Sequence, residues 1–281
     1  MPTPEPEIRN LTAVDKTPIY LRHWPVANPH AVLIICHGLG EYGGRYGNYL
    51  ERVLPAGFAV FAHDHRGHGR SGGRRGHVDR FDRFLDDLYL VVRDARETYP
   101  DKKLFLLGHS LGGLIALAYA LRHGDTVSGV IASSPALKLA LEVPKVKETL
   151  GRAMASFWPT LTMANELDAH QLSHDPEVVR AYEEDPLVHD RISARFFVEF
   201  TTAMNFTLNG AGALKMPLLM IQGLADPIIS PEGAQRFFDA AGGADKKILL
   251  CADQLHEVHN DTDKEKALSL VLSWLQAHSR D

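Results

Sequence analysis

Short apolar runs recur along the chain, and most are nearly unbroken by polar residues. Uninterrupted runs of this length are typical of strands that are buried on both faces of a sheet. Two runs near the start, 11–14 and 19–24, flank a turn at Asp15 and Lys16 and predict a first pair of strands. Buried strands are predicted at residues 31–36, 58–62, 104–107, 127–132, 218–221 and 248–251.

Helical periodicity separates the apolar runs. Between residues 80 and 98 the apolar side chains fall on one stripe at helical spacing, while charged residues occupy the other positions. Residues 263–278 show the same pattern and predict a closing helix. Strands that alternate with helices predict an α/β fold with a mostly parallel sheet covered by helices on both faces.

The alternation stops between residues 135 and 214, where helical patterning continues without a strand-like run. This segment lies between two predicted strands of the sheet, so we interpret it as an insertion. We expect a helical cap over the carboxyl edge of the sheet, where ligands bind in open α/β folds. The predicted organisation is a core of residues 1–134 and 215–281, with a cap of residues 135–214.

The sequence Gly-His-Ser-Leu-Gly at residues 108–112 stands between a predicted strand and the apolar stretch that begins at Leu114. A G-x-S-x-G sequence in this setting is typical of the nucleophile elbow of the α/β-hydrolase fold. The glycines allow a tight turn in which strand and helix pass closely, and the strained turn exposes the serine hydroxyl. We therefore predict Ser110 as a catalytic nucleophile.

A serine nucleophile needs a general base, and the base needs an acid that fixes its tautomer. In this fold the acid follows the serine in the chain and the histidine comes last. Asp226, just after the strand at 218–221, is the predicted acid. Two alternatives stay open: Asp226 could instead cap the helix that starts near Pro231, and Asp253 could replace it as the acid.

Three histidines follow the predicted acid. His256 lies in the loop between the strand at 248–251 and the closing helix, so it is the predicted base. His259 is the alternative base, and His278 is expected on the solvent face near the end of the helix. Two backbone amides should hold the oxyanion. We predict those of Leu111, directly after the nucleophile, and Leu39, in the glycine-rich loop after the strand at 31–36.

Two further patterns suggest chemistry that we do not expect here. Residues 67–72 match G-x-G-x-x-G, but the loop continues to residue 76, whereas a dinucleotide site needs the helix to begin at once. Residues 63–68 are rich in histidine, but no helix would hold these side chains on one face as metal ligands. We expect no cofactor and no metal.

Composition narrows the class of protein. The chain has 281 residues, is 45% hydrophobic and 23% charged, and carries a net charge of −5, which does not indicate a nucleic-acid partner. Its two cysteines, Cys36 and Cys251, lie in predicted strands, as expected in a reducing compartment. Residues 1–7 do not resemble a signal peptide, and no apolar stretch reaches the length of a membrane span. We therefore expect a cytoplasmic location, with possible peripheral contact with membranes.

Several of these motifs together resemble the monoacylglycerol lipase family. The resemblance extends from about Leu11 to the last helix and includes Asp185-Pro186-Leu187-Val188 within the predicted cap. The other matching motifs are His37-Gly38-x-Gly40-Glu41, Asp64-His65-Arg66-Gly67-His68-Gly69-x-Ser71, Arg75-Gly76-His77-Val78, Gly108-His109-Ser110-Leu111-Gly112-Gly113 and Gln222-Gly223-x-x-Asp226.

The resemblance implies an α/β-hydrolase with a mobile cap that cleaves single-chain esters such as monoacylglycerols or lysophospholipids. It also implies that Glu41 and Arg45 shape the glycerol end of the pocket. The family often has histidine where this chain has Tyr42, which affects the expected headgroup preference.

An apolar patch in the predicted cap includes Phe157 and Trp158. The patch has two interpretations. It could pack on the sheet domain, or it could form a lid edge that binds substrate and touches lipid aggregates. We predict both residues as substrate-binding.

The predicted function is that of a serine esterase that hydrolyses monoacylglycerol to fatty acid and glycerol through an acyl-enzyme on Ser110. The alternatives are a lysophospholipase, a broad carboxylesterase and an acyltransferase in which another alcohol replaces water. A peptidase is less expected. A ligand-binding protein on a hydrolase scaffold is the non-enzymatic alternative.

Overall fold

The computed structural model describes residues 4–141, 145–165 and 167–280, with the backbone alone at 145–148 and 150. Residues 1–3, part of the segment compared with a signal peptide, lie outside the described residues. The same holds for residue 281 of the predicted core and for residues 142–144 and 166 of the predicted cap.

Strands and helices alternate through most of the described chain. The strands are β1 (Glu7–Thr12), β2 (Pro18–Trp24), β3 (Ala31–Cys36), β4 (Phe58–His63), β5 (Leu104–His109), β6 (Gly129–Ser133), β7 (Thr162–Ala164), β8 (Arg191–Ser193), β9 (Leu218–Gly223) and β10 (Lys246–Cys251). The α-helices are α1 (Gly47–Val53), α2 (Asp82–Thr98), α3 (Leu111–His123), α4 (Lys145–Phe157), α5 (Pro176–Glu184), α6 (Ala194–Gly210), α7 (Pro231–Ala240) and α8 (Glu265–Ser279).

The main sheet has the strand order β1-β2-β4-β3-β5-β6-β9-β10 among the described residues. Strand β2 pairs antiparallel with both β1 and β4, and every other pairing in this sheet is parallel. This topology confirms the predicted α/β-hydrolase fold.

Both faces of the sheet are covered, as the unbroken apolar runs predict. In β3 every residue is buried, and successive side chains point to opposite faces. Val32 and Ile34 pack in the core formed with α2, α3 and α7, whereas Leu33 and Ile35 pack in the core formed with α1 and α8. Full burial on both faces removes the polar alternation that a half-exposed strand would show.

The first strand differs from its prediction. The sequence pattern placed it at residues 11–14, but β1 spans Glu7–Thr12, and the turn that follows includes Lys16 in the left-handed region (φ 67°). Strand β1 lies at the edge of the sheet, and its residues are exposed or half-buried. An edge strand with little buried surface needs no apolar run, so the hydrophobic pattern did not mark it.

The segment between β6 and β9 contains α4, α5 and α6. Helix α6 packs against both α4 and the core helix α3. The expectation that this segment has no strand was wrong, because β7 and β8 form a short antiparallel pair there. Each has three residues, too few to produce a detectable period in the sequence. In the described part of the chain, no helix is long and apolar enough to cross a bilayer.

The turn between β5 and α3 requires glycine on both sides of Ser110. A Cβ atom on Gly108 would overlap with the backbone of Gly112, the second residue of α3. A Cβ atom on Gly112 would overlap with the carbonyl groups of Cys36 and His37 at the end of β3. The helix can therefore approach the sheet closely enough to place Ser110 at the strand end only because both positions lack a side chain.

Replacing Gly112 by alanine should lower the free energy of unfolding by about 3 kcal/mol, because the new methyl group must displace backbone rather than a flexible side chain. Gly47→Ala is the matched control, since a Cβ atom there meets no atom within 4 Å. Urea unfolding of both variants measures the difference. Equal stability of the two variants would contradict the close packing of the turn.

Candidate active site

Residues with predicted catalytic roles follow the strands that end at one edge of the sheet. Leu39 follows β3, Ser110 follows β5, Asp226 follows β9 and His256 follows β10. These four strands are parallel, so their carboxyl ends lie at the same edge. Leu39, Ser110 and His256 line one cavity there.

Ser110 has a backbone conformation that is unusual for a residue with a side chain. Its φ is 53° and its ψ is −117°. Three hydrogen bonds hold the turn: the Ser110 amide donates to Ser133 O (3.0 Å), and its carbonyl accepts from the amides of Leu114 (3.1 Å) and Ala136 (3.0 Å). Strained positions of this kind persist only where the surroundings enforce them, and they cluster at functional sites.

His256 and Asp226 are buried and form a direct hydrogen bond. The distance from His256 Nδ1 to Asp226 Oδ2 is 2.7 Å. The other carboxylate oxygen accepts from the amides of Ile228 (2.9 Å) and Ile229 (3.0 Å). Gln222 Nε2 donates to Oδ2 as well (3.2 Å). The carboxylate is held on both oxygens, and it holds the imidazole so that Nδ1 faces it.

The charges of this pair support each other. Burial disfavours the charged form of both groups, but the attraction between them outweighs it. The Asp226 carboxylate, with Glu257 and Glu41 nearby, raises the pKa of His256 above its ordinary value of 6.5. The His256 imidazole and the hydrogen bonds from two amides lower the pKa of Asp226. The site therefore favours an imidazolium paired with a carboxylate, the state that forms when a histidine takes up a proton.

Two other buried imidazoles near His256 have pKa values below the ordinary value of histidine. The ring of His109 lies 4.7 Å from that of His256, and 5.0 Å from that of His259. Burial and the neighbouring imidazoles place the pKa of His109 well below its ordinary value. Burial also lowers the pKa of His259 to about 4. A proton taken up in this cluster will therefore reside on His256.

Two residues that line the same cavity have backbone amides without a protein partner in the described part of the chain. Neither the amide of Leu39 nor that of Leu111 has a hydrogen-bond partner among the described residues. Leu111 is the first residue of α3, so its amide lies at the positive end of the helix dipole. Both residues line the cavity beside Ser110. Free donors in this position can stabilise an oxygen that acquires negative charge.

The cavity has a volume of about 810 Å³, within the range of small-molecule sites. Its wall is mostly apolar, and the segment between β6 and β9 supplies much of it. The apolar lining from that segment includes Leu139, Leu141, Met154, Leu161, Met163, Leu167, Leu172, Ile192, Phe197 and Phe200. A cavity with this lining suits a hydrocarbon chain.

One part of the wall is polar, and we call it the polar corner: Glu41, Tyr182 and Glu257. The guanidinium of Arg45 contacts all three. It donates to both carboxylates at 2.7 Å and lies 4.7 Å from the centre of the Tyr182 ring. Neither lysine nor arginine is among the described residues that line the cavity.

The four residues predicted to bind substrate differ in their position relative to the cavity. Glu41 lines the cavity, whereas Arg45 lies behind the wall, between two carboxylates. Phe157 and Trp158 are not among the lining residues; they face solvent at the end of α4, with 90% and 59% of their surface exposed. Of the two interpretations of that patch, exposure disfavours packing on the sheet domain.

The alternative acid Asp253 and the alternative base His259 are not among the described residues that line the cavity. Asp253 is exposed, and His278 is bonded to Asp245. His259 is stacked on the rings of Tyr46 and Tyr49.

The histidine-rich loop at 63–68 is part of the fold next to the site. The His65 amide donates to His37 Nε2 (2.8 Å), and the His65 ring packs against that of His37. Within residues 4–141, 145–165 and 167–280, no group of histidine, cysteine or acidic residues could hold a metal ion.

Sequence reasoning missed Tyr182 and Glu257. Glu257 directly follows the predicted base, so its position in the sequence could have indicated that it lies at the site. Tyr182 is in helix α5, where nothing in the local sequence indicates which side chain faces the sheet.

The fold and the site define an α/β-hydrolase of the esterase and lipase class. The sequence model of the Hydrolase_4 family, described as serine aminopeptidase, S33, matches residues 27–263. The chain belongs to this family.

Relatives agree with this assignment. The chain is 33% identical to a monoacylglycerol lipase from Mycolicibacterium smegmatis over 255 residues, which is 90% of this chain and 91% of that protein. It is 35% identical to an uncharacterized abhydrolase domain-containing protein from Dictyostelium discoideum, covering 96% of this chain but 29% of that protein. The crystal structure of a Paleococcus ferrophilus monoacylglycerol lipase superimposes with a TM-score of 0.86 at 35% identity, covering 92% of this chain and 99% of that one.

The imidazole of His256 should titrate above pH 6.5, because the Asp226 carboxylate stabilises its charged form. Replacing Asp226 by asparagine should lower the pKa of His256 by about 1–3 units. NMR of the imidazole nitrogens measures both values. His259 is the internal control: its pKa, lowered by burial, should change little in the variant. A pKa of His256 below 6.5 in the parent, or unchanged in the variant, would contradict the ion pair.

Proposed function

We propose that the protein is a serine hydrolase that cleaves monoacylglycerols to fatty acid and glycerol. Ser110 is the nucleophile, His256 the general base and Asp226 the acid that orients it. The amides of Leu39 and Leu111 hold the oxyanion. The observation that carries this proposal is the buried 2.7 Å bond between His256 and Asp226 beside the cavity that Ser110 lines.

The reaction proceeds by two acyl transfers. His256 takes the proton of the Ser110 hydroxyl as its oxygen attacks the ester carbonyl, and the two amides stabilise the tetrahedral oxyanion. The imidazolium then gives that proton to the departing alcohol. The acyl group stays bonded to Ser110 as an acyl-enzyme. Water then attacks the acyl-enzyme as His256 takes one of its protons, and His256 returns that proton to the Ser110 oxygen as the fatty acid is released.

The two parts of the cavity support this substrate class. The apolar wall suits one acyl chain, and the polar corner suits an alcohol half that forms hydrogen bonds. Arg45 is already paired with both carboxylates, and no lysine or arginine is among the described residues that line the cavity, so the corner has no free cation for an anionic group. A phosphate at this position would lie near the Glu257 carboxylate, whose pKa Arg45 lowers despite burial, and like-charge contacts of this kind cost several kcal/mol. The corner thus favours the neutral glycerol of a monoacylglycerol over the phosphate of a lysophospholipid.

The relatives point the same way. Two of the similar proteins, from M. smegmatis and P. ferrophilus, are named monoacylglycerol lipases. We also propose that residues 135–214 form a cap domain on the core of residues 1–134 and 215–281. This division is supported by the position of α4, α5 and α6 between the neighbouring strands β6 and β9.

A labelling and hydrolysis experiment tests the proposal. A fluorophosphonate probe should label the parent at Ser110, and Ser110→Ala should abolish both labelling and hydrolysis. The parent should hydrolyse a monoacylglycerol with a kcat/KM at least about 10-fold higher than a lysophosphatidic acid of the same acyl chain, because the polar corner repels phosphate.

Each alternative predicts a different result. Faster cleavage of the lysophosphatidic acid would indicate a lysophospholipase. A preference for short p-nitrophenyl esters would indicate a broad carboxylesterase, and an ester product with an added alcohol would indicate an acyltransferase. Folded protein that is not labelled at Ser110 would indicate a binding role and would overturn the proposal.

We further propose that the exposed end of α4 contacts lipid aggregates or membranes. Its support is that Phe157 and Trp158 are exposed at the end of α4, and that Met154 of the same helix lines the cavity. Burial of large apolar side chains of this kind contributes about 1.5–3 kcal/mol each. Insertion at a lipid surface would bury them there.

The double substitution Phe157→Ser and Trp158→Ser should therefore lower hydrolysis of dispersed long-chain monoacylglycerol about 10-fold or more. Hydrolysis of soluble p-nitrophenyl acetate should stay within about twofold, since neither residue lines the cavity. Val14→Ser, at an equally exposed position (90%) on the turn after β1, is the matched control. Equal loss on both substrates would contradict the contact with lipid.

A further inference from the structure

Arg45 is not among the described residues that line the cavity. Its side chain is 9% exposed and lies behind Glu41 and Glu257. One guanidinium nitrogen, Nη1, donates to Glu41 Oε2 and to Glu257 Oε1, both at 2.7 Å, and Nη2 donates to Glu257 Oε2 at 3.1 Å. A group placed between two buried carboxylates joins the segments to which they belong.

The first of these segments is the loop that carries an oxyanion donor. Glu41 Oε1 accepts from the amide of Gly38 (2.5 Å) and from the hydroxyl of Tyr46 (2.7 Å). The Glu41 carboxylate thus closes the loop around Leu39, which lines the cavity and whose amide has no hydrogen-bond partner among the described residues. With Arg45 on its other oxygen, the carboxylate has a donor on each side.

The second segment is the loop of the general base. Glu257 directly follows His256, and its Oε2 also accepts from Asn260 Nδ2 (2.6 Å). The amide of Glu257 donates to Leu172 O (2.8 Å). The carboxylate is therefore fixed relative to the backbone that carries His256.

We propose that Arg45 is a positioning residue, which joins Glu41 to Glu257 and so keeps the oxyanion loop aligned with the loop of His256. This inference rests on the proposed function, because it assigns those two loops their chemical roles. Attack on the carbonyl and stabilisation of its oxygen need donors and base in fixed relation, and a misplacement of about 1 Å can lower the rate about 100-fold.

Lysine at position 45 provides the sharpest test. It keeps the positive charge but has one ammonium in place of a planar fork, so it cannot bridge two carboxylates in the same way. Arg45→Lys should lower the kcat for p-nitrophenyl butyrate at least about 10-fold, with KM within about twofold. The rate of fluorophosphonate labelling should fall by a similar factor.

Arg52→Lys is the matched control. Arg52 lies on the neighbouring helix α1 and also donates to both oxygens of a glutamate, Glu265, but this pair is exposed and neither residue lines the cavity. Its kcat and labelling rate should match those of the parent. A purely stabilising role for Arg45 would lower the melting temperature but leave kcat per folded molecule unchanged, and that result would overturn the proposal.

Glu257→Gln keeps the test decisive if Arg45→Lys does not fold. Besides Glu257, the titratable groups that act on His256 are Asp226, Glu41, His109 and His259, and Arg45 lies beyond Glu257. Loss of one carboxylate there removes a charge that favours the imidazolium, so the acid limb of the kcat/KM profile should move to lower pH. kcat should also fall. An unchanged kcat would contradict the proposal, whether or not the profile moves.

The labelling readout separates the two hypotheses. A parent that is not labelled at Ser110 would overturn the proposed function itself. A parent that is labelled, with Arg45→Lys labelled equally fast, would overturn only the role of Arg45.

Discussion

The common direction of β3, β5, β9 and β10 is the constraint on which the site depends. Because these strands are parallel and adjacent or nearly so, the loops after them meet at one edge of the sheet. Residues as far apart in the chain as Leu39 and His256 therefore line one cavity. The close approach of α3, which needs Gly112 against the carbonyl of Cys36, then places Ser110 at the same edge.

Buried charge organises the chemistry at that edge. Asp226 pairs with His256, and Arg45 pairs with Glu41 and Glu257. Buried ion pairs are weak evidence of stability, since the cost of removing charge from water can exceed the attraction. Their arrangement here is better explained by function: three carboxylates favour a proton on His256, while burial keeps His109 and His259 neutral.

The sequence predicts what depends on regular patterns. Strands buried on both faces, such as β3, show as apolar runs, and the loops after them could therefore be located together with Ser110, Asp226 and His256. The pattern does not show an edge strand such as β1. It also does not show β7 and β8, which are too short to have a period.

Tertiary packing determines the rest of the site. Whether Arg45 faces the cavity or lies behind Glu41 depends on where Glu257 is placed, more than 200 residues along the chain. The side of α4 that faces the cavity likewise depends on its packing with α6, so Met154 lines the wall whereas Phe157 is exposed. The local sequence does not predict such contacts.

A crystal structure of the protein after reaction with a fluorophosphonate tests the central claim most directly. The account predicts phosphorus bonded to Ser110 Oγ, with the phosphoryl oxygen about 3 Å from the amides of Leu39 and Leu111 and with His256 still bonded to Asp226. An adduct on another residue would contradict it. So would a phosphoryl oxygen turned away from both amides.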